Sequence, residues 1–209
     1  ERLQELEDMV ATAREAADAA GSKLSNKRRK SAPKLAKEIG HHLKELGFKQ
    51  AAFEVRLLPH SKPEAGGLEG VEFEFGPNPG EPLKPLRQIA SSGEISRVML
   101  SVKSALAEQD ATPLMVFDEI DANVGGEIAR AVGEKMARLG DRHQVVAITH
   151  FPQVAAVAAH HFVVSKEVRD GRTCSQLVQV ADEARIEELV RMLGGGGRQA
   201  RAMAESLLA

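Results

Sequence analysis

The feature that most constrains this chain is Pro113-Leu-Met-Val-Phe-Asp-Glu-Ile-Asp-Ala-Asn-Val-Gly-Gly126. The apolar residues Leu114 to Phe117 run straight into Asp118 and Glu119. A short unbroken apolar run suits a strand buried on both faces. The two acids then fall at the C-terminal end of that strand, where open α/β sheets bind their ligands. There Asp118 can hold a Mg²⁺ and Glu119 can orient or deprotonate a water, the Walker B arrangement of nucleotide hydrolases. Taken alone the stretch decides little, because many buried strands end in an acid.

A chain of 209 residues is long enough for one large domain, or one domain with an appendage, without covalent staples. The one cysteine, Cys174, allows no intramolecular disulfide and has no partner that would make it a nucleophile. No apolar run approaches a membrane span and no signal peptide is visible, so the expectation is a cytoplasmic protein. The chain opens on Glu1, inside a helical pattern, and is expected to be a fragment of something longer. A net charge of −2 gives no global argument for nucleic acid. The exception is local: Lys27-Arg28-Arg29-Lys30, with Lys23, Lys34 and Lys37 nearby, reads as a solvated helix face or as a phosphate-backbone contact. With no Trp or Tyr, stacking platforms for single strands are not expected.

Apolar or small residues at Leu3, Leu6, Val10, Ala13, Ala17, Ala20 and Leu24 step by three and four. That is a heptad seam, and it predicts the end of a coiled-coil arm interrupted at Gly21-Ser22. Pro33 then suits the first turn of a new helix, with Leu35, Ile39, Leu43 and Leu46 inward and Gly47 at its end. Residues 1–47 are therefore read as arm stub and leading helix, and 48–209 as the main lobe. Alternation over 51–58 and 71–75 predicts two antiparallel strands joined by a Pro/Gly-rich loop at 59–70. Residues 76–85 read as a loop.

Ser91 and Glu94 stand in the Ser-x-x-Glu relation of a capping box, ahead of the helical stripe Ile95, Val98, Met99, Val102 and Leu106. A Ser/Gly loop opening onto a helix N-terminus is an anion site. Its plainer reading is a well-capped helix. After the acidic strand come a helix through Ile128 to Leu139 and a second buried strand, Gln144 to His150. A helix over 154–159, a hairpin turning at Asp170-Gly171 and two C-terminal helices complete the pattern. The expected class is α/β. In a parallel sheet Asp118, Glu119 and His150 meet at one edge. A carboxylate pair with a histidine also fits a metal hydrolase, but no second ligand cluster supports that reading. The pairs His41-His42 and His160-His161 point in diverging directions and are not read as ligands. A phosphate hydrolase needs a Gly-x-x-x-x-Gly-Lys-Ser/Thr loop, and none is present. Gly194 to Gly197 lacks the Lys-Ser/Thr and follows a helix, so the chain carries half of an ATP site at most.

Together Phe73-x-Phe-x-x-Asn-Pro-Gly-Glu81, Ile89-Ala-Ser-Ser-Gly-Glu-Ile-Ser-Arg97, Val116-Phe-Asp-Glu-Ile-Asp121, Thr149-His-Phe-Pro-Gln-Val-Ala155 and Glu188-Leu-Val-Arg-Met-Leu-Gly-Gly195 resemble the RecN family. This is a bacterial DNA repair branch of the SMC-like ABC-type ATPases. The resemblance covers nearly the whole chain and implies the C-terminal lobe of an ATPase head. It implies that Ser91, Ser92, Gly93 and Glu94 form the ABC signature, which engages the γ-phosphate of ATP on another head. By the same resemblance Asp118 acts on Mg²⁺ through water, Glu119 is the catalytic base, Asp121 opens the D-loop and His150 is the switch histidine. ATP and Mg²⁺ are the implied cofactors. The implied partners are an N-terminal portion carrying Walker A, a second copy of the protein through heads or arms, and DNA. The implied role is double-strand break repair and recombination, on the nucleoid. A non-catalytic dimerisation or DNA-binding module is the other reading. Two residues depart from the family pattern: Ser92 and Asn123 stand where glycine is usual. If position 92 needs a positive φ or a close approach to phosphate, its Cβ weakens the signature.

Overall fold

The computed structural model describes residues 1–122, 124–169 and 172–209. The chain divides into two compact units, Glu1–Lys44 with Phe48–Ala90 and Glu45–Gly47 with Ser91–Ala209.

In the first unit, α1 (Arg2–Glu45) is one uninterrupted helix of 44 residues. The expected break at Gly21-Ser22 and the fresh start at Pro33 are both absent. Gly21 is buried, and a Cβ there would stand 2.6 Å from Leu68 Cγ. The glycine therefore serves close approach by the hairpin and does not stop the helix. Pro33 lies on the exposed side, where water can satisfy the carbonyl that its missing N–H leaves free. The seam residues Leu3, Leu6 and Val10 are exposed.

Strands β1 (Ala52–Glu64) and β2 (Gly67–Gly76) pair antiparallel from Ala52↔Gly76 to Pro59↔Glu69, and again at Glu64↔Gly67. The expected loop at 59–70 is thus mostly strand. Its prolines are compatible with strand because Pro59 and Pro63 sit where the register shifts and ladder donors are not required. Phe53 packs on Phe73 at 5.7 Å, and Phe48 meets Phe75 edge-on at 5.2 Å. The stretch read as plain loop contains a two-residue strand β3 (Lys84–Pro85) against β2, then a 3-10 turn at Leu86–Gln88.

In the second unit, α2 (Ser92–Ala105) leads to β4 (Leu114–Phe117), α3 (Gly126–Gly140) and β5 (Gln144–Ala147). Strands β4 and β5 are parallel, in register from Leu114↔Gln144 to Phe117↔Ala147. Ile148 N–H donates to the Phe117 carbonyl at 2.9 Å and carries the pairing one step further. The core gathers Leu46, Leu100, Met115, Phe117, Ile120, Val132, Met136, Leu139 and Val154. Strand β4 is buried on one face only, contrary to the two-sided expectation. Met115 and Phe117 point inward, while Leu114 and Val116 remain 47% and 60% exposed. Val146 and Ile148 of the neighbouring strand are exposed as well. An unbroken apolar run shows that both faces are apolar, not that both are covered in this chain.

Helix α4 (Pro152–Ala156) is shorter than expected and lies close on α3. A Cβ on Gly133 would reach Val157 Cγ2 at 2.8 Å. Strands β6 (His161–Arg169) and β7 (Arg172–Val180) form an antiparallel hairpin. The expected turn at Asp170-Gly171, like Asn123, lies outside the described residues. Helices α5 (Asp182–Met192) and α6 (Arg198–Leu208) bury Leu189 and Ala204 against Ala155 and Ala156. The four glycines between them, Gly194 to Gly197, all have positive φ, and Gly194, directly after the C-cap Leu193, takes the position where a helix stop favours glycine.

Candidate functional site

Parallel pairing places Asp118 and Glu119, just past β4, on the same sheet edge as Thr149 and His150, just past β5. Asp118, Glu119 and His150 are all exposed there. Glu119 has a φ of +54°, a left-handed conformation uncommon for a residue with a Cβ. It opens a tight turn closed by Ala122 N–H donating to the Glu119 carbonyl at 3.1 Å. Such local strain persists where surrounding structure fixes it, and that is common at functional sites.

Here α2 fixes it. Ser91 is the N-cap, and its hydroxyl accepts from the Glu94 N–H at 3.4 Å, as the capping pattern predicts. Ser92 and Gly93 lie in the first helical turn, and neither has a positive φ. Ser92 is accommodated without backbone strain. The glycine under constraint is Gly93: an added Cβ would sit 3.0 Å from the Ala122 carbonyl oxygen and 3.3 Å from that of Glu119. One turn on, the Ser96 hydroxyl donates to the Asp118 carbonyl at 3.2 Å. The buried Arg97 donates from Nη1 to the Ala122 carbonyl at 3.1 Å. Burial lowers the Arg97 pKa from its usual value, and the nearby Glu94 carboxylate opposes that shift. The first two turns of α2 thus grip the acidic turn through a glycine, a hydroxyl and a guanidinium.

A second link joins the acidic turn to His150. Asp121 is 1% exposed. Its Oδ2 accepts a hydrogen bond from the Thr149 hydroxyl, and its Oδ1 lies 3.7 Å from His150 Nδ1. The same Thr149 oxygen accepts from the Phe151 N–H at 3.0 Å. A groove of ≈ 340 Å³ beside Asp118 is lined by Ile95, Met99, Leu114, Val116 and Phe117.

Among the described residues no group of three or more His, Cys, Asp or Glu could cage a metal. Mg²⁺ does not need such a cage, since it binds through one or two carboxylates and keeps several waters. Asp118, an exposed hard oxygen donor at a strand end, fits that requirement.

The basic run on α1 divides. Lys27, Arg29 and Lys30 are exposed, whereas Arg28 is half-buried and donates to the Glu69 carbonyl at 2.8 Å. Ser25 donates to the carboxylate of the same Glu69. Arg28 therefore fastens the helix to the β1–β2 hairpin.

No family model matches the chain. It is 42% identical over 210 residues to the DNA repair protein RecN of Xylella fastidiosa strain Temecula1, covering 99% of this chain and 38% of that protein. It is 43% identical over 180 residues to RecN of Deinococcus radiodurans, covering 86% and 32%. With RecN of Mycobacterium tuberculosis the identity is 42% over 207 residues, covering 88% and 35%. This chain belongs to the RecN family. It spans about a third of the length of those RecN proteins.

The chain also shares its fold with solved SMC heads. The Smc head domain with a coiled coil and joint from Pyrococcus yayanosii superposes with a TM-score of 0.62 at 22% identity, over 97% of this chain and 34% of that one. The Smc head with an extended coiled coil from Pyrococcus furiosus gives 0.59 at 22% identity, over 91% and 44%. The fold is that of a portion of an SMC head with a helical arm root.

Several residues that build this candidate site carry no role in the sequence pattern. Arg97 interrupts the apolar stripe of α2 between Ile95 and Val98, and a cation there is the signal that it serves a buried carbonyl. Ser96 and Thr149 carry hydroxyls beside the motif acids, a pattern too common to single out without coordinates.

Proposed function

We propose that this chain is the C-terminal lobe of an SMC-like ATPase head, which couples ATP-driven head closure and hydrolysis to DNA binding in double-strand break repair. The observation that carries the reading is the grip of α2 on the acidic turn. It ties an anion-binding helix start, two carboxylates and a histidine into one small body. In this reading Ser91, Ser92, Gly93 and Glu94 present the N-terminus of α2 to the γ-phosphate of ATP held by a second head. Glu119 orients the attacking water and accepts its proton. His150, positioned through Asp121 and Thr149, faces the same phosphate. Mg²⁺, when bound, neutralises phosphate charge, and Asp118 would hold it through water. The partner supplying the phosphate-cradling Walker A loop is an N-terminal portion of the same protein. The exposed apolar face formed by Leu114, Val116, Val146 and Ile148 supports the need for such a partner. The site of action is the nucleoid.

Mixing this chain with the Walker A portion tests the half-site reading. Mg-dependent ATP turnover is expected to be negligible for the chain alone and restored in the mixture. Robust turnover by the chain alone would overturn it, and so would a silent mixture of two folded portions.

A further inference from the structure

The steps between Lys23, Lys27, Lys30, Lys34 and Lys37 are four, three, four and three, and His41 and Lys44 continue them. Residues at these steps share one face of a helix. Because α1 runs unbroken through Pro33, the lysines form one stripe. Each of them is exposed. The buried and half-buried stripe of the same helix is Gly21, Ser25, Arg28, Ala32, Leu35 and Ile39, two residues behind. Two helical residues turn about 200° around the axis, so the lysines lie on the side facing away from the hairpin. Among the described residues, no glutamate of the hairpin pairs with them. Between residues 19 and 44 the only acid is Glu38, which lies 3.7 Å from His42. Among the described residues, no hydrogen bond or ion pair engages Lys23, Lys27, Lys30, Lys34, Lys37 or Lys44.

A positive stripe on a helix can face an acidic partner helix or a polyanion. The helix partner is disfavoured by the seam itself. Its apolar positions end at Leu24, and the next ones are Lys27, Ser31, Lys34 and Glu38, which cannot bury in a coiled coil. From Lys23 to Lys44 the stripe is about 32 Å long, close to one turn of duplex DNA. Lysines are flexible point charges that reach phosphates without reading bases. We propose that Lys23, Lys27, Lys30, Lys34 and Lys37 form a tracking surface for the phosphate backbone of double-stranded DNA, independent of sequence. The proposal rests on the proposed function only in taking DNA as the partner, and needs no ATP turnover. It excludes Arg28, which holds the hairpin.

The test uses the complete protein without nucleotide. Fluorescence anisotropy would follow binding to a mixed-sequence duplex of about three turns, from about 50 to about 200 mM NaCl. The combined variant Lys23→Gln, Lys27→Gln, Lys30→Gln, Lys34→Gln, Lys37→Gln should bind at least tenfold more weakly at the lower salt. Its slope of log affinity against log salt should flatten by about 4, since each phosphate neutralised contributes about 0.9. The matching five Lys→Arg changes should keep both affinity and slope, which separates charge from damage to the helix. Arg28→Gln should keep the slope. A Gln variant with the wild-type slope would overturn the proposal, as would loss of binding in the Arg variant. Absence of salt-dependent binding by the wild type would remove DNA as the partner. A failure of the ATPase reading would appear as turnover unaffected by Glu119→Gln, with this slope unmoved.

Discussion

A methyl group built on Gly93 would lie 3.0 Å from the carbonyl oxygen of Ala122. The Glu119 carbonyl oxygen follows at 3.3 Å and the Ala122 Cβ at 3.1 Å; two of these atoms are backbone and the third is bonded directly to it, so none can swing aside as the end of a long side chain would. The contact sets how closely α2 approaches the turn that carries Glu119. Gly93→Ala should therefore push the turn away from α2. Overpacking of this kind costs about 1–3 kcal/mol, read by chemical denaturation, and turnover of the complete protein should fall about tenfold or more. Wild-type stability together with wild-type turnover would show that the contact is slack.

Ser92 is the contrasting case. Its departure from the usual glycine invites the expectation of a weakened signature, but it sits in the first turn of α2 without a positive φ. Ser92→Gly should leave turnover unchanged within about twofold and cost about 0.5 kcal/mol of helix stability. A large rise in turnover would mean that the Ser92 side chain obstructs the phosphate.

Thr149→Val keeps the shape of the side chain and removes the hydroxyl that serves the buried Asp121. Leaving such a group without its donor costs about 1–3 kcal/mol. Turnover should fall as well, because His150 loses its fixed neighbour, and Thr149→Ser should restore both. Unaltered turnover in the Val variant would separate Asp121 from the work of His150.

Asp110 gives a pH signature. The Lys103 ammonium at 2.6 Å, then the hydroxyl and N–H of Thr112, hold its carboxyl well below the usual carboxylate range. A carboxyl with a depressed folded pKa stabilises the fold above its unfolded value of about 3.9, and that contribution is lost as pH falls below it. The stability difference between wild type and Asp110→Asn should be constant above about pH 5 and shrink below about pH 4. A difference that does not change with pH would remove the ion pair from the account.

Much of the site was legible because its chemistry depends on residues next to each other in sequence. Asp118-Glu119 at a strand end, Ser91 capping α2 and Thr149-His150 after β5 all stand where the pattern puts them. What was not legible depended on which surface another segment covers. Gly21 and Pro33 look like helix breaks, yet α1 tolerates one because Leu68 needs the space and the other because it faces solvent. Pro59 and Pro63 look like loop, yet they sit where a strand pair shifts register. Leu114 and Val116 read as core and are exposed. Arg28 read as one of four equivalent cations, and only the hairpin's return to the helix reveals that it is spoken for.

The most direct test of the central claim is Glu119→Gln in the complete protein. Its side chain keeps the size of the original but cannot accept the water's proton. Nucleotide binding should persist, while steady-state Mg-dependent turnover falls by roughly 10²–10⁴, the range for a lost general base. Turnover equal to that of the wild type would contradict the account and move the catalytic base away from the end of β4.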